Sequence, residues 1–125
     1  ELVVRGNCSL VPGVPGVSEN IHINGIIDRY LEHSRIFIFA NAGEERYYIG
    51  SADWMPRNLD NRIEVLTPVY DKVIQAELKR VVCYGLRDTA KGRIVDGSGE
   101  NKTWENSDAP FRSQEELYKY YKESE

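Results

Sequence analysis

Ile36-Phe37-Ile38-Phe39-Ala40-Asn41-Ala42-Gly43-Glu44-Glu45-Arg46-Tyr47-Tyr48-Ile49-Gly50 reads as strand, turn, strand. The first four residues are β-branched or aromatic without polar interruption, as in a well-covered strand. Asn41 to Glu45 supplies the small and polar residues of a hairpin turn, and Tyr47, Tyr48 and Ile49 form the return strand. A β-hairpin cannot bury its own face, so helices or further strands must cover it.

Downstream, Ile63–Leu66 is expected to be another strand, ended by Thr67-Pro68. Asp71 is placed to cap a helix to about Leu86, with Val73, Ile74, Leu78, Val81, Val82 and Leu86 on one face. Arg93-Ile94-Val95 suits a short strand. Residues 96–110 are rich in Gly, Asn, Ser and Asp and read as an exposed loop. Ser113 and Glu116 have capping-box spacing for a last helix from about Gln114 to Lys122.

Upstream, Leu2-Val3-Val4 reads as a buried strand ending near Arg5-Gly6. Two Pro-Gly steps in Val11-Pro12-Gly13-Val14-Pro15-Gly16 make a shaped loop. Residues 19–28 fit two patterns. Ile21, Ile23, Gly25 and Ile27 alternate as a strand would, whereas Ser18 could cap a helix through Ile23, Ile26, Ile27, Tyr30 and Leu31. β-branched Ile and the internal Gly favour the strand, followed by a helical turn near Arg29–Glu32. Strands interleaved with helices place the chain in the α/β class.

The 125 residues suit one domain, able to bury roughly two-thirds of its unfolded surface. Because the chain opens in a strand-like run with no initiator Met, it is expected to be one domain of a longer protein. A net charge of -4 disfavours non-specific binding to nucleic acid or anionic membranes, although a few arginines in a cleft can still attract phosphate. Cys8 and Cys83 lack metal-ligand spacing and are expected to be buried packing residues, which suits a reducing cytoplasm. No apolar run reaches the ~18 residues of a membrane span, and the N-terminus is no signal peptide. Neither a Gly-x-x-x-x-Gly-Lys-Ser/Thr loop nor Gly-x-Gly-x-x-Gly occurs, and no cluster has zinc spacing.

Three features could carry chemistry. His33 and Arg35 stand two residues apart before the strongest strand, and so on one face. An imidazole transfers protons near neutral pH, and a guanidinium holds phosphate oxygens. A surface His beside a surface Arg fits the same letters. In Gly50-Ser51-Ala52-Asp53-Trp54-Met55-Pro56-Arg57-Asn58, small residues permit close approach while Ser51, Asp53, Arg57 and Asn58 bring polar groups together. Asp53 could orient an imidazole, and Ser51 or Asn58 could bond phosphate; a strand-to-helix connection with a capping Asp is the other reading. Arg5, the one charge in Leu2-Val3-Val4-Arg5-Gly6, sits where ligands approach the carboxyl ends of strands, or else makes a salt bridge at the sheet rim. His22, among isoleucines, reads as structural.

Val4-Arg5-Gly6-Asn7-Cys8, Pro12-Gly13-Val14-Pro15-Gly16-Val17-Ser18-Glu19-Asn20-Ile21, Tyr30-Leu31-Glu32-His33-Ser34-Arg35-Ile36 and Tyr48-Ile49 through Asn58 resemble, in order and spacing, the C-terminal domain of the long, multidomain polyphosphate kinases. The resemblance extends through Asn61-Arg62-Ile63-Glu64-Val65 and more loosely to Pro110–Glu115, covering nearly the whole chain, and implies that residues 1–125 are one C-terminal catalytic domain. It implies a phospholipase-D-like mixed sheet flanked by helices, in which two similar domains each give a histidine to one site. His33-Ser34-Arg35 stands where that superfamily usually has His-x-Lys, and Gly50-Ser51-Ala52-Asp53 resembles its Gly-Ser-x-Asn block.

The family's reaction is reversible transfer of the ATP γ-phosphate to polyphosphate through a phosphohistidine. That nucleophile lies in a partner domain, so the isolated chain is expected to be inactive. The resemblance maps an ATP-contacting arginine onto Arg5 and a second catalytic histidine, which also contacts ATP, onto His33. Arg35, Ser51, Asp53, Arg57 and Asn58 follow as residues lining the pocket or fixing His33. Magnesium is implied, with no ligand assignable in this chain. Implied partners are ATP or ADP, polyphosphate, the preceding domains and, for the full-length enzyme, further copies of itself. The implied location is cytoplasmic, with membrane association through the full-length enzyme left open. Two other readings are a phospholipase-D-like phosphodiesterase, disfavoured by Arg35 and the Pro12–Gly16 loop, and a non-catalytic polyanion-binding module.

Overall fold

The computed structural model describes residues 1–6, 8–104 and 109–123. Asn7 of the first motif, and residues 105–108 of the expected 96–110 loop, lie outside the described residues. The described chain forms two compact units, Glu1–Glu32 with Val81–Glu125, and His33–Arg80. No helix among the described residues is long and apolar enough to cross a membrane.

The first unit is built on β1 (Leu2–Val4), β2 (Ile23–Ile26) and β6 (Gly92–Ile94), ordered β1-β2-β6. β1 runs parallel to β2, with Leu2 opposite Ile23. β6 runs antiparallel to it, with Asn24 opposite Ile94, so this sheet is mixed. The central strand β2 is buried throughout, which settles residues 19–28 in favour of the strand. Ser18 does not cap a helix. Its hydroxyl donates to the Val11 carbonyl at 2.6 Å and accepts from the Val14 amide at 3.0 Å, tying down the Pro-Gly loop.

No helical turn forms at Arg29–Glu32, where the backbone bends only at Arg29 and Tyr30. Distant partners take the polar groups that a turn would have used. Arg112 donates twice to Asp28, at 2.6 and 2.8 Å, and Gln114 accepts from the Tyr30 amide. The Asp28 side chain is almost wholly buried, and the Arg112 guanidinium holds its carboxyl below the usual range.

Helix α3 (Ser113–Glu123) stands where the capping-box spacing put it, but the cap differs. Ser113 donates its hydroxyl and its amide to Asp88, and the Glu116 amide bonds the Arg112 carbonyl instead. Asp88 is fully buried and also accepts the amides of Lys91 and Gly92, so one carboxylate ties α3 to the start of β6. Gly92 cannot be replaced there, since a Cβ would stand 2.0 Å from the Asp88 carbonyl oxygen.

The second unit is antiparallel: β3 (Ile36–Phe39), β4 (Arg46–Gly50) and β5 (Leu66–Val69), ordered β3-β4-β5. The β3–β4 hairpin pairs Ile36 with Ile49 and Phe39 with Arg46. β5 begins three residues later than expected and contains Pro68. The ladder shows why proline is tolerated. Ser51 donates its amide to the Val65 carbonyl, so by alternation Tyr48 and Pro68 form a non-hydrogen-bonded pair. The missing Pro68 N–H then faces away from β4, on an edge strand.

Helix α2 (Lys72–Leu86) follows, starting in the second unit and ending in the first. Asp71 caps it as expected, accepting the amides of Val73 and Ile74 at 2.8 and 3.1 Å. At its far end the buried Asn24 amide donates to the carbonyls of Gly85 and Asp88, and Asn24 accepts from Trp104. The expected face of α2 is only partly covered, because Val73 and Ile74 are exposed. Cys8 is half-buried and Cys83 exposed, so neither is the buried packing residue expected; both are free thiols. The α/β class therefore holds, as two small sheets with helices and not one continuous sheet.

Candidate active site

His33 and Arg35 lie in the segment leading into β3, within the second unit. The Arg35 side chain turns back on its neighbour, bringing Nη2 within 2.7 Å of His33 Nε2. On its other side the guanidinium meets Asp53, with Nε and Nη2 each 2.9 Å from Oδ1. Nη1 donates weakly to the His33 carbonyl at 3.4 Å. The Arg35 hydrogen bond holds the Asp53 carboxyl below its usual range, keeping it anionic. Asp53 thus reaches the imidazole through Arg35 and not directly.

The strand before this site explains its geometry. Gly50 ends β4, and a Cβ there would come within 3.2 Å of both Phe37 and Leu66 side chains. The chain then turns at Ser51, and Trp54 stacks on Phe37 with ring centroids 5.7 Å apart. A short helix α1 (Pro56–Leu59) begins with proline at its first position, where no amide is needed.

Ser51 and Asn58 are both committed to Glu64. The Ser51 hydroxyl donates to Oε2 and accepts the Val65 amide at 2.9 Å, while the buried Asn58 amide donates to Oε1 at 3.0 Å. The Ser51 hydroxyl bond, followed by that of Asn58, lowers the Glu64 carboxyl from its usual value. Sequence reasoning missed Glu64 as their partner, although it stands in the Asn61–Val65 block. Arg57 is exposed on α1.

Arg5 belongs to the first unit, just beyond β1. It lines a hollow of about 430 Å³ with Gly6, Ile26, Asp28, Tyr30 and Gln114. Its guanidinium makes no ion pair or hydrogen bond among the described residues, so the salt bridge at the sheet rim does not form. A larger depression of about 1100 Å³, beside β4, β5 and the start of α2, contains none of the expected site residues. The smaller hollow is the one of the two that holds an expected site residue, Arg5. His22 is exposed, and its carbonyl serves β1 by accepting the Leu2 amide. Among the described residues no three His, Cys, Asp or Glu groups converge as metal ligands.

Residues 1–114 match the family model described as polyphosphate kinase C-terminal domain 2. The chain belongs to the polyphosphate kinase family. It is 45% identical over 125 residues to the polyphosphate kinase of Vibrio vulnificus strain YJ016, a match covering 99% of this chain. Against the enzyme of Escherichia coli K12 identity is 42% over the same 99%. In the polyphosphate kinase of Thermosynechococcus vestitus it is 61%, over 79 residues that make up 63% of this chain and 11% of that one. The chain spans only 18% of the length of the Vibrio and Escherichia relatives. The crystal structure of polyphosphate kinase from Porphyromonas gingivalis superposes with a TM-score of 0.87 at 44% identity, covering 94% of this chain and 18% of that one.

Proposed function

We propose that this chain supplies half of the active site of an ATP–polyphosphate phosphotransferase on a phospholipase-D-like frame. The covalent phosphohistidine forms on a partner domain of the same enzyme. The observation that carries the reading is the His33–Arg35–Asp53 chain of contacts, an imidazole held by a buttressed guanidinium in the segment leading into β3. Arg5, without an ion pair or hydrogen bond among the described residues, is the second support, because an unengaged guanidinium is ready for an anion.

Phosphoryl transfer asks a protein chiefly for positioning and for positive charge around the transferred oxygens. In this reading Arg5 binds phosphate oxygens of ATP. His33 bonds the transferred phosphoryl group and moves a proton as the phosphohistidine forms and breaks. Magnesium, which the family resemblance implies, would neutralise charge on the phosphates when bound with them. Asp53 and Glu64 are already bound to this chain's own groups, Asp53 to Arg35 and Glu64 to Ser51 and Asn58, so they do not fit a resident ion. No step is assigned to magnesium in this chain.

Residues 1–125 alone are expected to make no polyphosphate from ATP, since the nucleophile is elsewhere. Product analysis of the purified chain with ATP and magnesium checks this. ATP-dependent chain synthesis by the isolated polypeptide would place the whole reaction here and refute the division of the site.

A further inference from the structure

Arg35 differs from Arg5 in one decisive respect. All three nitrogens of the Arg35 guanidinium have partners within the chain: Nε on Asp53, Nη1 on the His33 carbonyl and Nη2 on His33 Nε2. An arginine that grips phosphate through its fork presents at least two donors outward. To do so here, Arg35 would have to abandon contacts at 2.7 and 2.9 Å. Its side chain is also less exposed than that of Asp53, 19% against 36%, so it sits behind the imidazole and its carboxylate partner.

The contact with His33 also fixes where a proton lies. A guanidinium has donors and no acceptor. A 2.7 Å contact between Nη2 and Nε2 is therefore a hydrogen bond only when Nε2 offers its lone pair. A neutral imidazole carries one proton, so it must sit on Nδ1. Asp53 keeps the guanidinium from swinging away, and its anionic state is sustained by the same bond.

We propose that Arg35 is a positioning residue that holds the neutral His33 ring as the Nδ1-protonated tautomer, so that Nδ1–H is the donor offered to a phosphoryl oxygen. This rests on the phosphotransferase reading for its consequence, but the tautomer itself does not. The sequence alone suggested that the Arg35 guanidinium holds phosphate oxygens. Under the proposed function that work stays with Arg5, and the geometry gives Arg35 the orientation of the ring.

The test uses the full-length enzyme containing this chain, labelled with ¹⁵N-histidine, with a His33→Gln variant identifying the His33 signals by difference. Wild type is expected to show neutral His33 protonated at Nδ1, and Arg35→Gln to lose that preference. In steady-state assays Arg35→Gln should lower kcat on the order of 10- to 100-fold, a share of what a positioned acid–base group contributes. KM for ATP and for polyphosphate should stay within about twofold, since no ground-state contact is lost. Arg35→Lys should restore only part of kcat, because an ammonium cannot span Asp53 and His33 together. Asp53→Asn should lower kcat likewise, and the double variant should be no worse than Arg35→Gln alone.

A wild-type His33 ring protonated at Nε2 overturns the proposal without any variant having to fold. So does a KM that rises about tenfold at unchanged kcat, the signature of lost phosphate binding. Normal activity of His33→Ala, with the wild-type ring found protonated at Nδ1, would instead remove the phosphotransferase role of His33 and support the positioning alone.

Discussion

His33→Ala in the full-length enzyme is expected to lower polyphosphate synthesis by on the order of 10²- to 10⁴-fold, the range that general acid–base catalysis contributes. The ring is exposed, and among the described residues its side-chain hydrogen bond is to Arg35, so truncation removes little packing. Loss of activity should then come with unchanged secondary structure by circular dichroism. Initial rates of polyphosphate formation from ATP measure the effect. A variant within about threefold of wild type would show that His33 does no acid–base work.

Asp88→Ala should produce the largest loss of stability. The carboxylate is fully buried and accepts four hydrogen bonds, from the amides of Lys91, Gly92 and Ser113 and the Ser113 hydroxyl. Alanine would leave these donors without a partner in a closed space. The expected cost is about 3–5 kcal/mol, from several unsatisfied buried donors at roughly 1–3 kcal/mol each with partial relief by water. Asp88→Asn should cost less, about 1–3 kcal/mol, because one acceptor position survives. Urea unfolding midpoints, with the slope checked for constancy, give the comparison. A change below about 1 kcal/mol for Asp88→Ala would mean that the first unit does not depend on this junction.

The hairpin from Ile36 to Gly50 was legible because every clue in it is local: apolar strand residues, a small polar turn, and an aromatic return. The Asp71 cap was legible for the same reason. What could not be read depended on distant partners. Arg29–Glu32 has the look of a turn, yet Asp28 answers to Arg112 and Tyr30 to Gln114, both over eighty residues away. Ser113 marked the helix start correctly, but its hydroxyl serves Asp88. Pro68 reads as a strand end until the ladder shows its nitrogen facing outward on an edge.

The same division holds at the site. The spacing of His33 and Arg35 announced a pair, and they are in contact. The direction of that contact was not legible, because the letters do not say whether an arginine faces phosphate or its neighbour. Ser51 and Asn58 looked like phosphate donors, but Glu64 takes both. Arg5 could have been a rim salt bridge, and only the structure shows its guanidinium in a hollow, unengaged among the described residues. The exposure of Val73 and Ile74 on α2 was equally beyond reach of periodicity, which marks an apolar face without saying whether anything lies against it.

The most direct test of a divided site is to find the covalent phosphate. Full-length enzyme incubated with ATP, digested under conditions that preserve phosphohistidine, and mapped by mass spectrometry should carry the label on a peptide outside residues 1–125, with His33 unmodified. Phosphate found on His33 itself would contradict the account, because the residue assigned to proton transfer and phosphate contact would then be the nucleophile.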